Sequence, residues 1–184
     1  MSESPFLYMK KNSKTVLWND SADPKELKDA LTWGIVGATC NPVIALTALK
    51  ADSEHWVSRI KEYAKSHPIA TEDEIGWAMV KELSVNAAKL FEPEFEKQNG
   101  RNGRLSIQTD PRNFRDAKAL SDQALEFSQL AKNMIVKIPV TSEAIAAFEE
   151  ATYQGVSINA TVSFSVAQTI AVAEAVERGL KRRE

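Results

Sequence analysis

Only one cysteine, Cys40, occurs in the 184 residues. No disulfide can form within the chain, and a lone thiol fits a reducing compartment. Histidine is almost as scarce: His55 and His67 are the two, and their spacing matches no metal-ligand pattern, so a transition-metal site is not expected. An excess of one charge is missing as well. The net charge is −2, which provides no field for nucleic acid or for an anionic membrane, and a basic run appears only at the end, in "KRRE". No apolar run is long enough to span a bilayer. The opening stretch "MSESPFLYMKKNSK" lacks the apolar centre of a signal peptide. A cytoplasmic protein, with no nucleic-acid or membrane partner, is the expectation. Internal repeats, low-complexity segments and linkers are absent too, so residues 1–184 are expected to form one domain.

What is present is an ordinary globular balance, 43% hydrophobic and 26% charged, in a chain long enough for a real core. Short apolar runs alternate with longer amphipathic ones. Strands are expected near 15–20, 34–39, 104–109, 134–140 and 156–162. Between them lie helical patterns with readable ends. Asp23-Pro24 supplies an N-cap followed by proline at the first helical position. Helices follow around 43–50 and 53–66. Thr71 with Glu74 forms a capping-box pattern that opens a long helix, with Pro93 expected to break it near its end. Further helices are expected over 113–133, over 142–155 with Gly155 as the C-cap, and from 165 onward with basic residues in the last turn. Strand, helix, strand with helical crossovers is the pattern of an α/β fold with parallel strands.

In such folds, sites are built at the C-terminal ends of the strands. Polar residues recur there. Asp20 ends the first strand, and Thr39 and Asn41 end the second. The third carries Ser106, Gln108 and Asp110. The fourth holds Lys137 and then Thr141, and the fifth holds Asn159 and Thr161. Lys137 is the most unusual, an ammonium group inside the apolar strand "MIVKIPV". Side chains alternate along a strand, so Val136 and Ile138 would face helices while Lys137 would face the other way, beside the polar strand ends. Burial strips hydration from an ammonium and favours the free amine, and a free amine facing a carbonyl forms a Schiff base. A lone lysine in a strand is more often a snorkelling or edge residue. The recurrence of hydrogen-bonding side chains at five successive strand ends is what favours a site. Asp23 is better placed than Asp20 to cap a helix, which leaves Asp20 spare. Asn41 before a proline has an alternative as a turn residue. Asn159 and Thr161 have an alternative as partners of each other or of backbone. Cys40 reads as a small buried hydrophobe. His55, Trp56, Trp77 and Phe91 read as packing.

The stretches "VLWND", "GATCNP", "GRLSIQTDPR", "MIVKIPVT" and "GVSINATVSFS" resemble, in order and spacing, those of the transaldolases. The resemblance runs from about Thr15 to the end of the chain. It implies a TIM (β/α)8 barrel of the class I aldolase type. The activity it implies is transfer of a dihydroxyacetone unit from a ketose phosphate, sedoheptulose 7-phosphate or fructose 6-phosphate, to an aldose phosphate in the pentose phosphate pathway. It implies no metal and no organic cofactor, with sugar phosphates as partners; a homo-oligomer remains open. Carried over position by position, Lys137 resembles the Schiff-base lysine. Asp20 resembles the carboxylate that takes the proton from the C4 hydroxyl. Asn41 and Asn159 resemble the asparagines that hold the hydroxyls of the dihydroxyacetone unit. Thr161 resembles the threonine that orients a catalytic water, and Thr39 belongs to the signature of the second strand.

Three departures from the family pattern stand out. Gln108 occupies a place where most transaldolases have a glutamate. A glutamine can orient water but cannot exchange its proton in the same way. The related fructose-6-phosphate aldolases carry glutamine here, so an aldolase-like lyase is the alternative, with Asp110 as a substitute base. Another is Cys40, where a threonine is common, a change expected to be tolerated. The largest departure is length. A full barrel needs roughly 250 residues, and this chain supplies about the first five β/α units. The sixth strand, which in the family brings a serine and an arginine to the substrate phosphate, has no counterpart. A truncated form is therefore expected, and a catalytically inactive barrel fragment that acts by association is a further alternative.

Overall fold

The computed structural model describes residues 4–184. Among them are eight α-helices and four strands, an α/β arrangement. The hydrogen-bonded strand order is β1-β2-β3-β4. The chain forms two compact units, one up to Leu105 and one from Ser106 onward. Strand β2 passes from the first into the second.

The first unit opens with α1 (Pro5–Asn12), a helix not among the expected elements. It has no buried residue and no side-chain cap; its marks in the sequence are Pro5 at the first helical position and Lys10 and Lys11 in the last turn. Helix α2 (Pro24–Thr32) starts as expected: the Asp23 carboxylate accepts from the N–H groups of Lys25 and Glu26. Strand β1 (Gly37–Thr39) is shorter than the expected 34–39. The expected first strand at 15–20 is only partly formed. Residues 17–19 run beside β1, with Asn19 bridged in parallel to Ala38. Leu17 accepts from Val36 N–H at 2.8 Å and Asn19 from Thr39 N–H at 2.8 Å. Thr15 and Val16 remain exposed, and with no burial to reward it the ladder stops short.

Helices α3 (Pro42–Ala51), α4 (Ser53–Ser66) and α5 (Glu72–Lys97) complete this unit. Their inner faces meet in a core that includes Cys40, Ala45, Trp56, Met79 and Leu83. Cys40 is thus a core side chain. His55 is exposed, stacked edge-on against Trp56 at 5.1 Å, so of the residues read as packing it is the one that lies outside. The break expected at Pro93 does not occur, since α5 runs through it to Lys97. Proline removes one helical hydrogen bond, but Phe91 just before it is fully buried. Just after it, Glu94 is held by Lys10 (3.6 Å) and the Phe95 ring lies under the Arg104 guanidinium. Tertiary contacts on both sides outweigh the local preference.

The start of α5 carries the capping box read from the sequence. The Thr71 hydroxyl accepts from Glu74 N–H, and the Glu74 carboxylate accepts from Thr71 N–H at 2.7 Å. The backbone bond, followed by the Thr71 hydroxyl, holds the Glu74 carboxyl below its ordinary value near 4.5. A depressed carboxyl contributes stability above its unfolded value and loses it as pH falls through the folded one. The melting-temperature gap between the wild type and Glu74→Gln is therefore expected to shrink as pH drops below about 4.5. A gap that stays constant from pH 7 to pH 3 would contradict this account of the cap.

In the second unit, β2 (Arg104–Gln108) leads into a 3-10 turn at Pro111–Asn113 and then α6 (Ala117–Ser128). The single helix expected over 113–133 is thus shorter. Asp116 caps α6 by accepting from Ala119 N–H, and this local cap sets the start. Strand β3 (Met134–Pro139), α7 (Ala144–Tyr153), β4 (Ile158–Thr161) and α8 (Val166–Lys181) follow. Gly155 sits at φ +85°, in the left-handed region, as a helix-ending glycine does. Strand β4 pairs with β3 in parallel, Val136 opposite Ile158 and Pro139 opposite Thr161. Val136, Ile138, Phe127 and Phe148 have at most 1% exposure. Burying a side chain of this size contributes about 1.5–3 kcal/mol, so this apolar layer fixes which face of β3 turns away from it. Every residue of β4 is only half-buried, and Phe164, Val166 and Ile170 beyond it are exposed.

Candidate functional site

In the first unit the expected residues gather at the end of the 17–19 segment and of β1. Asn19 and Ser21, which flank Asp20, both donate to the Glu26 carboxylate on α2, at 2.9 and 2.7 Å. Ser21 Oγ also accepts from Asp23 N–H at 3.1 Å. The turn is thereby held from both sides of Asp20 while its own side chain is left to face outward. The Thr39 hydroxyl donates to Asp20 Oδ1. One carboxylate oxygen is thus oriented by a neutral donor, and Asp20, exposed, lines a cleft with Ser21, Glu26, Ile44 and Thr47. Asn41 has a structural job. It caps α3, its Oδ1 accepting from Val43 and Ile44 N–H, both at 2.9 Å. That leaves its Nδ2 group as the part able to donate to a ligand oxygen.

In the second unit the expected residues lie on adjacent strands. Lys137 is 9% exposed, in the middle of β3. Its neighbours Val136 and Ile138 are fully buried, and alternation turns Lys137 to the opposite face. Asn159 on β4 is its register partner, and Thr161 is that of Pro139. Paired residues of parallel strands share a face, so Lys137, Asn159 and Thr161 line one side. Asn159 Nδ2 donates to Ser106 Oγ on β2 at 3.1 Å, and Ser106 has no exposure. Thr109 N–H donates to the Lys137 carbonyl at 3.0 Å, which brings the end of β2, with Gln108, alongside Lys137. Among the described residues, the Lys137 ammonium has no carboxylate partner. An amine inside an apolar strand with no ion pair is the feature of this strand that its packing leaves unexplained.

Asp110 does not serve as a free base. Its carboxylate takes Arg112 Nη2 at 2.6 Å and Nε at 3.0 Å, and it accepts from Arg112 N–H to shape the 3-10 turn. Thr141 is likewise committed, donating to the Phe114 carbonyl at 2.8 Å and capping α7. The residue that the sequence reading passed over is Gln168 on α8. Its signal was present: Ser165 with Gln168 has the spacing of a capping box, and the box forms. Beyond the box, Gln168 Nε2 donates to the carbonyls of Val140 and Val162, at 3.2 and 3.3 Å.

The second unit presents an amine with amide and hydroxyl groups on one face of β3 and β4, and the first unit presents a carboxylate oriented by a hydroxyl. No cluster of potential metal ligands occurs among the described residues.

Comparison with known proteins covers nearly the whole chain. The family described as Transaldolase/Fructose-6-phosphate aldolase matches residues 17–182. A transaldolase of Kocuria rhizophila is 33% identical over 153 residues, covering 82% of this chain and 41% of that protein. One from Thiobacillus denitrificans is 33% identical over 175 residues, 91% of this chain and 48% of its own length. One from Thermobifida fusca is 30% identical over 152 residues, 82% and 40%. The chain thus spans less than half the length of the curated relatives it matches. With the match running over nearly the whole sequence, the chain belongs to the transaldolase/fructose-6-phosphate aldolase family.

Proposed function

We propose that this chain carries the Schiff-base machinery of a transaldolase, moving a dihydroxyacetone unit from a ketose phosphate to an aldose phosphate. The observation that carries the reading is Lys137: buried, without a carboxylate partner among the described residues, and in register with Asn159 in a chain of this family. In the proposed cycle the Lys137 amine adds to the ketone carbon, and the carbinolamine loses water to leave a protonated imine. Asp20 takes the proton of the C4 hydroxyl. The C3–C4 electron pair then flows into the imine and the aldose phosphate leaves. The enamine attacks the aldehyde of the acceptor, and water releases the new ketose. Asn41 and Asn159 hold the hydroxyls of the three-carbon unit, and Thr161, with Gln108, holds the water that leaves and returns.

The test is borohydride reduction of the gene product, read to its natural stop codon, in the presence of fructose 6-phosphate. An adduct on the peptide containing Lys137 is expected, and a folded protein that gives none overturns the reading. Gln108 favours a second outcome, simple aldol cleavage. Free dihydroxyacetone without an acceptor indicates the lyase; product formed only with an aldose phosphate indicates the transferase.

The division of labour gives a further expectation. Asp20→Asn removes the proton acceptor but not the amine, so turnover should fall by about 10²–10⁴ while the ketose adduct on Lys137 is still trapped. Loss of the adduct together with turnover would place Asp20 in imine formation instead.

A further inference from the structure

Val162 follows the last residue of β4 and adopts φ +59°. For a β-branched residue this left-handed backbone is a genuine outlier and is strained. Such a conformation persists only where its surroundings impose it. Here they do, through one side chain. Gln168 Oε1 accepts from Phe164 N–H (2.9 Å), Ser165 N–H (3.0 Å) and Ser165 Oγ (3.2 Å). Its Nε2 donates to the Val162 carbonyl at 3.3 Å and to the Val140 carbonyl at 3.2 Å. Val140 N–H in turn donates to the Thr161 carbonyl at 2.9 Å. Both Nε2 hydrogens and the amide oxygen of Gln168 are therefore used. The result is a clasp that ties the end of β3 and the exit of β4 to the first turn of α8. Thr161 sits inside it, bonded on one side and followed at once by the strained residue.

We infer that Gln168 and the strained Val162 are positioning residues, which hold the Thr161 hydroxyl fixed for the water that leaves and re-enters at the Lys137 imine. This rests on the Schiff-base reading. The strain is the informative part. A turn needed only to link β4 to α8 would be more stable with glycine at this position, whereas a β-branched residue narrows the conformations open to Thr161 once the clasp has set them. Val162 is 47% exposed, so its side chain gives the core little in return.

Val162→Gly and Val162→Ala separate the two accounts. Glycine relieves the backbone and alanine does not, so the glycine variant should melt about 2–8 °C above the alanine variant. Yet it should form the trapped Lys137 adduct roughly tenfold or more slowly than the alanine variant. Its amides from Thr161 to Ser165 should also exchange hydrogen faster. Gln168→Met, which keeps the length and removes every side-chain bond of the clasp, should show the same slow trapping together with a lower melting temperature. A glycine variant that traps as fast as the alanine one overturns the inference. So does one that melts no higher, or one whose exchange over 161–165 is unchanged. A wild type that forms no adduct overturns the Schiff-base reading, and the role of Thr161 falls with it; the exchange data would then report only on the strain.

Discussion

Lys137→Met is expected to abolish the borohydride-trapped adduct entirely while leaving the protein as stable as before or more so. The two halves of this result have different causes. The adduct needs a nucleophilic nitrogen at that position, and methionine offers none. Stability follows from burial. Lys137 is 9% exposed and has no carboxylate partner among the described residues, so methionine removes no ion pair there. Methionine matches its length, is apolar and adapts to irregular space. Trapping followed by peptide mapping checks the first half, and a thermal melt of the same two samples checks the second. An adduct that survives the substitution would move the chemistry to another amine. A fall in melting temperature would show that the ammonium group supports the fold, making Lys137 a structural lysine.

Gly103→Ala is expected to produce the largest loss of stability of any single methyl addition in the first unit. Gly103 adopts φ +76°, and a Cβ built there would lie 2.5 Å from Phe95 Cα and 2.7 Å from the Glu94 carbonyl carbon. Both obstacles are helix backbone and cannot swing aside as a flexible side chain can. The glycine N–H also donates to the Val36 carbonyl at 2.6 Å, just before β2 begins, so a shift of the chain would break a strand contact. Strain and clash together should cost about 3–5 kcal/mol, or roughly 6–20 °C in melting temperature. Gly76→Ala is the control. It lies in α5 with nothing within 4 Å of the added carbon, and should stabilise by about 0.5–1 kcal/mol. Equal effects at the two glycines would refute the packing argument.

Local signals were the ones that could be read in advance. The caps at Asp23 and at Thr71 with Glu74 depend on a few neighbouring residues, and they formed where the sequence placed them. The alternation that buries Val136 and Ile138 and turns Lys137 the other way is equally local, a property of the strand itself. Readings failed where a distant contact outvoted a neighbour. Pro93 did not end its helix because Phe91, Lys10 and Arg104 hold the chain on either side. Residues 15–20 did not make a full strand because only 17–19 meet a partner. The helix at 5–12 has no fully buried residue and so lacks a clear apolar face, although Pro5 and the closing Lys10 and Lys11 mark its ends.

The candidate site shows the same division. The residue types at the strand ends, and the family the chain belongs to, were legible in the sequence alone, because a side chain's functional group and the order of the motifs are properties of the chain itself. Their second tasks were settled only in three dimensions. Asn41 spends its oxygen on the cap of α3, Asp110 is taken by Arg112, Ser106 reaches Asn159 across 53 positions of sequence, and Gln168 clasps β3 to β4. A polar side chain declares in the sequence what it can bond to. Which partner it meets depends on strand register and helix packing, and these are decided by burial summed over residues far apart in the chain.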